Sequence, residues 1–138
     1  MENVNEAAAV IPPGRITAND VVYISGPMTG FEDYNRKAFN AVDTWLRNNI
    51  GCTVLNPARH PDGLQYGEYM RRAYRDLTMA SAVVLLPGWE SSRGAMAEVH
   101  AAGITGLAVA TIESVVGSAT DKAVEKIDDW GSAVLHGQ

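Results

Sequence analysis

The sequence predicts an α/β fold in which a small parallel sheet lies between helices on both of its faces. Short apolar runs alternate with stretches of helical periodicity, in the order β-α-β-α-β-α-β. Turn-forming residues follow most of the apolar runs, as expected where a strand leaves a sheet. Parallel strands in this alternating order need helical crossovers, and those helices pack on the two faces of the sheet.

The first strand, the first helix and the second strand are predicted within residues 21–55. Residues 21–24 are apolar, and the run ends at a Ser-Gly-Pro-Met-Thr-Gly loop. A helix is predicted from about residue 34 to residue 49, because apolar side chains recur at helical spacing, at Phe39, Val42 and Leu46. Gly51 is placed to end this helix. Residues 53–55 then form a short second strand, which Asn-Pro stops.

The alternation continues through the second half of the domain. A long polar loop at residues 58–67 leads to a helix at about residues 68–80. Residues 82–86 are all apolar and are predicted to form a fully buried third strand. A third helix at about residues 93–102 and a fourth strand at residues 107–111 complete the pattern. This order is typical of flavodoxin-like and Rossmann-like three-layer sandwiches.

Composition divides the chain into three segments. Residues 1–20 are polar and rich in alanine, and we interpret them as a flexible leader or as an arm that packs on a partner subunit. Residues 21–116 are predicted to form the folded domain. Residues 117–138 are predicted to form a C-terminal helical extension, with apolar side chains on one side at Val124, Ile127 and Trp130.

Charge and cysteine usage exclude several classes of function. A net charge of −5 and a pI near 5.1 argue against general nucleic-acid binding, which requires a basic face. Cys52 is the only cysteine, so no intramolecular disulfide can form. With no signal peptide in the sequence, this predicts a reducing, cytoplasmic location. The longest apolar runs are too short to span a membrane, so no membrane association is expected.

Glu98 is the first candidate for chemistry. It lies in the third predicted helix among alanine and glycine residues, which allow a ligand to approach closely. The start of that helix follows a buried strand, and α/β proteins bind ligands at this edge of the sheet. The alternative interpretation is an ordinary glutamate on a half-exposed helix.

The loop at residues 25–30 is a candidate ligand-binding loop. It contains two glycines and two hydroxyl side chains, so its backbone N–H groups can form an anion-binding concavity. It is not a Walker loop, because no Gly-Lys-Ser/Thr follows, and it lacks the Gly-x-Gly-x-x-Gly dinucleotide fingerprint. An ordinary turn is the alternative.

Further candidates lie around the third strand. Asp76 is near the end of its helix, where the helix dipole disfavours a carboxylate. This unfavourable position indicates a functional role for the Asp76 side chain. Ser92 is a good N-cap candidate, and a helix start is an anion site. Trp89 can stack on a base, cover a neighbouring subunit or simply pack. His60 and His100 have no spacing partner that would indicate a metal site.

These elements together resemble a known family. The pattern combines Tyr23 on a strand, the Ser-Gly-Pro-Met-Thr-Gly loop, Asp76-Leu77 before a buried strand, and a Ser-x-Gly-x-x-x-Glu segment that ends at Glu98. It resembles the nucleoside 2-deoxyribosyltransferase superfamily, which includes the 2′-deoxynucleoside 5′-monophosphate N-hydrolases. The similarity is greatest to a branch often encoded by phages, and it spans about residues 21–111.

The resemblance implies a catalytic set and a mechanism. Glu98 would be the nucleophile that attacks the anomeric carbon of a (deoxy)ribosyl group, and Tyr23 would orient and stabilise its carboxylate. Asp76 would assist proton transfer to or from the leaving base. Other residues would contact the substrate, chiefly sugar hydroxyls or a 5′-phosphate, and the candidates are Ser25, Gly26, Met28, Thr29, Gly30, Trp89, Ser92, Arg93 and Gly94. No cofactor is implied. Relatives complete the pocket from a second subunit, which implies a homo-oligomer.

The sequence also departs from the family pattern. Relatives that act on monophosphates often carry an arginine in the first loop, where this chain has Met28 and Thr29. Arg93 is the candidate substitute for phosphate recognition. The leading hypothesis is hydrolysis or transfer at an N-glycosidic bond of a nucleoside or nucleotide. The alternatives are a non-catalytic nucleotide-binding or sequestering protein on the same fold and an interaction protein.

Overall fold

The computed structural model describes residues 16–117. All of the predicted C-terminal extension after residue 117 and most of the predicted leader therefore lie outside the described residues. The last five residues of that leader belong to the fold, because Ile16 is buried in the core and the Asp20 carboxylate accepts a hydrogen bond from Ser81 Oγ. Within the described residues, no helix is long and apolar enough to cross a membrane.

The sheet has four parallel strands in the order β2-β1-β3-β4, so the predicted fold class is confirmed as a flavodoxin-like α/β sandwich. The strands are β1 (Val21–Ser25), β2 (Thr53–Leu55), β3 (Ala82–Leu85) and β4 (Ala108–Thr111). The chain moves from β1 to β2 on one side and then crosses to β3 on the other. This reversal opens a crevice at the carboxyl ends of β1 and β3, where such folds bind ligands.

Three helices begin and end close to the predicted positions, and a short fourth helix after β4 was not predicted. The helices are α1 (Arg36–Asn49), α2 (Tyr66–Met79), α3 (Arg93–Thr105) and the short α4 (Ile112–Gly117). The predicted first helix starts too early, because Asp33, Tyr34 and Asn35 adopt left-handed backbone angles. The predicted third helix ends too early, because α3 continues to Thr105 and is capped by Gly106, which has a φ of 75°.

Alternating side chains of the strands divide the core into two layers. Val22 and Ile24 face α1 and α4, whereas Tyr23 faces α2 and α3. Because side chains two positions apart share one face of a strand, Ser25 lies on the same face as Tyr23. On the face of β1 that packs against α2 and α3, Tyr23 and Ser25 therefore provide two buried hydroxyl groups near the carboxyl edge of the sheet.

A polar network fixes the chain after β2. The buried Asp43 carboxylate of α1 accepts a hydrogen bond of 3.0 Å from Asn56 Nδ2 and pairs with Arg59 at 3.2 Å. Asn56 Oδ1 in turn accepts from the backbone N–H of Ala58 at 2.9 Å. Buried polar groups that are fully bonded in this way fix local geometry. The network anchors the start of the loop at residues 57–65.

Gly26 allows β1 and β3 to leave the sheet close together. A Cβ atom at this position would lie 2.7 Å from the Cβ of Leu86, which is fully buried. Because that contact lies next to the backbone, it cannot be relieved by a side-chain rotation. We therefore expect Gly26→Ala to lower the free energy of unfolding by about 1–3 kcal/mol, the usual cost of overpacking, in urea denaturation.

Gly67→Ala is the matched control for Gly26→Ala. Gly67 lies in α2, and an added Cβ would meet only Arg71 Nη1, at an ordinary 3.6 Å. Alanine is the better helix former, so we expect stability to rise by up to about 1 kcal/mol. Equal effects of the two substitutions would contradict a packing role for Gly26.

Candidate active site

Glu98 is a buried carboxylate held by two hydroxyl groups. It lies in the second turn of α3, and only 4% of the residue is exposed. The Tyr23 hydroxyl donates to Oε2 at 2.6 Å, and Ser25 Oγ donates to Oε1 at 2.6 Å. Both donors are completely buried. Each carboxylate oxygen therefore has one fixed partner, which sets the orientation of the whole group.

The local sequence explains this arrangement. Tyr23 and Ser25 are two positions apart on β1, so both reach the helix that crosses that face. The Ser92 side chain caps α3 by accepting from the backbone N–H of Ala95 at 3.1 Å, as predicted. The cap fixes where α3 starts, and the start determines where the second turn meets the sheet. Ser25 was predicted to contact the substrate, and in the structure its hydroxyl is bonded to Glu98.

Burial determines the protonation of the site. The pKa of Glu98 is raised to about 7, because burial penalises the charge more than the bonds from Ser25 and Tyr23 favour it. The pKa of Tyr23 is raised well above its usual value by burial and by the nearby Glu98 charge, so its hydroxyl stays a donor.

This pKa shift predicts a pH-dependent cost in stability. Glu98 has an ordinary pKa of 4.5 when unfolded and about 7 when folded, so the folded state binds more protons between these values. Stability is therefore lost as the pH rises from about 5 to 7, by on the order of 3 kcal/mol. Glu98→Gln removes this cost and keeps a hydrogen-bonding group. We expect it to be more stable than the native protein at pH 8, with most of that gain gone at pH 5.

Thermal or urea unfolding at both pH values measures this effect. Glu90→Gln changes the same group at an exposed position, and its stability should follow that of the native protein at pH 5 and pH 8. A Glu98→Gln protein that is no more stable than the native protein at pH 8 would contradict a buried charge at this position.

A cavity of about 300 Å³ opens beside Glu98. Its walls come from the loop after β1, the turn before α1, the loop after β2 and the first turns of α2 and α3. Five of the predicted substrate-binding residues line it, and these are Gly26, Met28, Thr29, Ser92 and Gly94. The volume lies at the lower end of small-molecule sites, which are about 300–1,000 Å³.

The other four predicted substrate-binding residues, Ser25 among them, are not among those that line the cavity. Gly30 has a φ of 86° and belongs to a turn in which a side chain would meet nothing. Trp89 packs against the core layer under α2 and α3. Arg93 lies with its guanidinium carbon 5.4 Å from the centre of the Tyr66 ring.

Asp76 reaches the cavity through His60. His60 Nε2 lies 3.4 Å from Asp76 Oδ2, and the His60 ring meets the edge of the Tyr69 ring at 5.7 Å between centres. His60 and Tyr69 line the cavity, whereas Asp76 is not among its lining residues. After burial and the Glu98 charge, the Asp76 charge also contributes to the raised pKa values of Tyr23 and Tyr69.

Sequence reasoning missed His60 and Tyr69. Tyr69 lies seven residues before Asp76 on α2, so two helical turns place both on one face, and that spacing was a usable signal. His60 carried no such signal, because the path of the loop at residues 57–65 decides its position. Burial raises the pKa of the Tyr69 hydroxyl, which contacts Met28 Sδ at 2.8 Å.

Comparison with known proteins assigns the chain to a family. The model of a domain of unknown function, DUF4406, matches residues 20–111. The chain belongs to the DUF4406 family. No match was found among curated proteins or among solved structures.

The matched part of this DUF4406 chain contains the whole site. It includes β1 with Tyr23 and Ser25, the cavity walls, and α3 with Glu98. The Glu98 arrangement is therefore part of the family domain rather than of the chain ends. In residues 16–117, no group of three or more histidine, cysteine, aspartate or glutamate side chains is placed to hold a metal ion.

Proposed function

We propose that this DUF4406 protein breaks or exchanges the N-glycosidic bond of a nucleoside or nucleotide, with Glu98 as the nucleophile. The observation that carries the proposal is the Glu98 carboxylate itself, which is buried, bonded by Tyr23 and Ser25, and part of a cavity wall. A carboxylate has about four acceptor positions, and the two hydroxyls use two of them. Lone pairs therefore remain on oxygens whose direction is fixed.

The chemistry suits a positioned carboxylate. Cleavage of an N-glycosidic bond passes through a cation-like sugar, which a nearby carboxylate stabilises and can trap. A Glu98 oxygen bonds to the anomeric carbon while the bond to the base nitrogen breaks, and the base takes up a proton. Water or a second base then attacks the same carbon and releases Glu98, which gives hydrolysis or transfer respectively.

Tyr23 and Ser25 can bond Glu98 both as the free carboxylate and as the glycosyl ester. Their hydrogen bonds stabilise the anion before attack and hold the carboxyl plane in one orientation during attack. When the glycosyl ester has formed, the donor on the unreacted oxygen stays bonded to the ester carbonyl, and the other donor faces the ester oxygen, which is a weaker acceptor. The raised pKa of Glu98 means that the reactive anion is the minor form below about pH 7.

Base release is the direct test. Purified protein is incubated with a panel of deoxynucleosides and deoxynucleoside monophosphates, and free base is followed by chromatography beside a Glu98→Ala variant. We expect base release that disappears in the variant. A second, isotopically labelled free base in the mixture distinguishes transfer from hydrolysis. Tight binding without turnover would instead support the sequestering alternative and would overturn the catalytic proposal.

A further inference from the structure

The turn before α1 holds a tyrosine in a strained backbone conformation. Asp33, Tyr34 and Asn35 have φ angles of 48°, 54° and 61°. Asparagine and aspartate adopt this left-handed conformation more readily than other side chains, whereas a bulky residue such as tyrosine seldom does. Such outliers are concentrated at functional sites and point to a function rather than to folding.

Neighbouring residues hold the turn in this conformation. Buried Asn35 donates from Nδ2 to the carbonyl of Pro27 at 2.9 Å. Arg36 pairs with Asp33 at 2.6 Å and with Asp62 across the cavity wall. The Tyr34 hydroxyl has no hydrogen bond among the described residues, and the residue is 56% exposed. Within the described residues, the Tyr34 side chain is thus held by no hydrogen bond, and its ring contacts the turn through Arg36.

The constraint places the Tyr34 ring on the open side of the cavity. Tyr34 lines the cavity that also contains Glu98. The Arg36 guanidinium carbon lies 5.4 Å from the ring centre, so one face of the ring is covered. A planar ligand can therefore stack only on the other face. Arg36 is itself paired with two carboxylates, so its charge is neutralised at this position.

We propose that Tyr34 binds the substrate by stacking on the face of its nucleobase, with the left-handed turn as the device that presents the ring. This inference rests on the proposed function, since it names the residue that binds the base of the same substrate. The exposed Tyr34 ring has on its other face a guanidinium whose charge is already paired, so this position favours the uncharged ring of a nucleobase over an anion. Stacking of this kind accepts any base, because every base has a π-face.

Binding measured without turnover tests the role of Tyr34. In a Glu98→Gln background, calorimetric titration with a deoxynucleoside should show affinity reduced about 5- to 150-fold by Tyr34→Asn, the range for one lost stacking contact. Tyr34→Phe keeps the ring and should keep the affinity. Asparagine suits the left-handed angles, so the midpoint of thermal unfolding should be equal to or higher than that of the parent.

A stability readout and two further variants separate stacking from a structural role. Tyr34→Gly also suits the backbone and should show the same loss of affinity. Tyr74→Asn alters another exposed tyrosine, which is not among the cavity-lining residues, and should leave affinity unchanged. Native affinity in Tyr34→Asn and Tyr34→Gly, with Glu98-dependent base release intact, overturns the stacking role alone. If the parent binds no nucleoside or nucleotide and native protein releases no base, the proposed function fails as well.

Discussion

Glu98→Gln should lower kcat for base release by at least roughly 10³-fold, the scale expected when a covalent nucleophile is removed. Glutamine has the size of glutamate but cannot form the glycosyl ester. It can still accept from one hydroxyl and donate to the other, so the positions of Tyr23 and Ser25 should be kept. We therefore expect the dissociation constant for a nucleoside to change little while kcat is lost. Single-turnover kinetics and calorimetry on the same variant measure the two quantities.

The pH dependence of the native protein gives an independent check on Glu98. The reactive form is the carboxylate, and the pKa of Glu98 is raised to about 7 by burial. The rate should therefore rise about tenfold per pH unit below 7 and level off above it. Ser25→Ala removes a bond that favours the anion, so its rate profile should move to higher pH. A Glu98→Gln protein with near-native turnover would eliminate the nucleophile role whatever the profile.

The stability of Glu98→Gln distinguishes a functional carboxylate from a structural one. A structural glutamate normally contributes to stability, so its replacement lowers the free energy of unfolding. Here the buried anion costs stability above pH 7, and the neutral variant is expected to be more stable there. Loss of turnover together with a gain in stability is the combination expected of a site kept for chemistry.

Much of the fold was predictable because its signals are local. Apolar runs ended by turn residues located the four strands, and helical spacing located α1. The pairing of Tyr23 with Glu98 was implied by the family resemblance, and strand alternation explains why Ser25 joins them. The resemblance implied only a substrate contact for Ser25, since sequence spacing does not show how closely α3 approaches β1.

The remaining features depend on contacts distant in sequence. In the sequence, the left-handed turn at residues 33–35 is indistinguishable from a helix start. The turn is held by the hydrogen bond from Asn35 to the Pro27 carbonyl and by the salt bridge between Arg36 and Asp62. The position of His60 depends on the loop that Asp43 and Asn56 anchor. The burial of Glu98, and with it the raised pKa of its carboxyl group, results from the assembly of the sheet with both helices and has no signal in the local sequence.

Asp76 and His60 should act as one unit in proton delivery to the leaving base. Asp76 contacts His60 at 3.4 Å, and only His60 is among the cavity-lining residues. If Asp76 works by positioning His60, then Asp76→Asn and His60→Gln should each lower kcat by about 10²-fold or more, the scale of general acid catalysis. The double variant should lose no more than either single one, because residues that act as a unit are not additive.

Leaving-group chemistry separates proton delivery from a loss of structure. A 7-methylated deoxyguanosine carries a positive charge on its base, so the base departs without being protonated. Asp76→Asn and His60→Gln should cleave this substrate at close to the native rate while remaining slow on ordinary deoxynucleosides. Equal losses on both substrates would show that the pair maintains the loop rather than moving a proton. Native activity in His60→Gln with loss in Asp76→Asn would show instead that Asp76 reaches the base directly, since the relay through His60 would then be unnecessary.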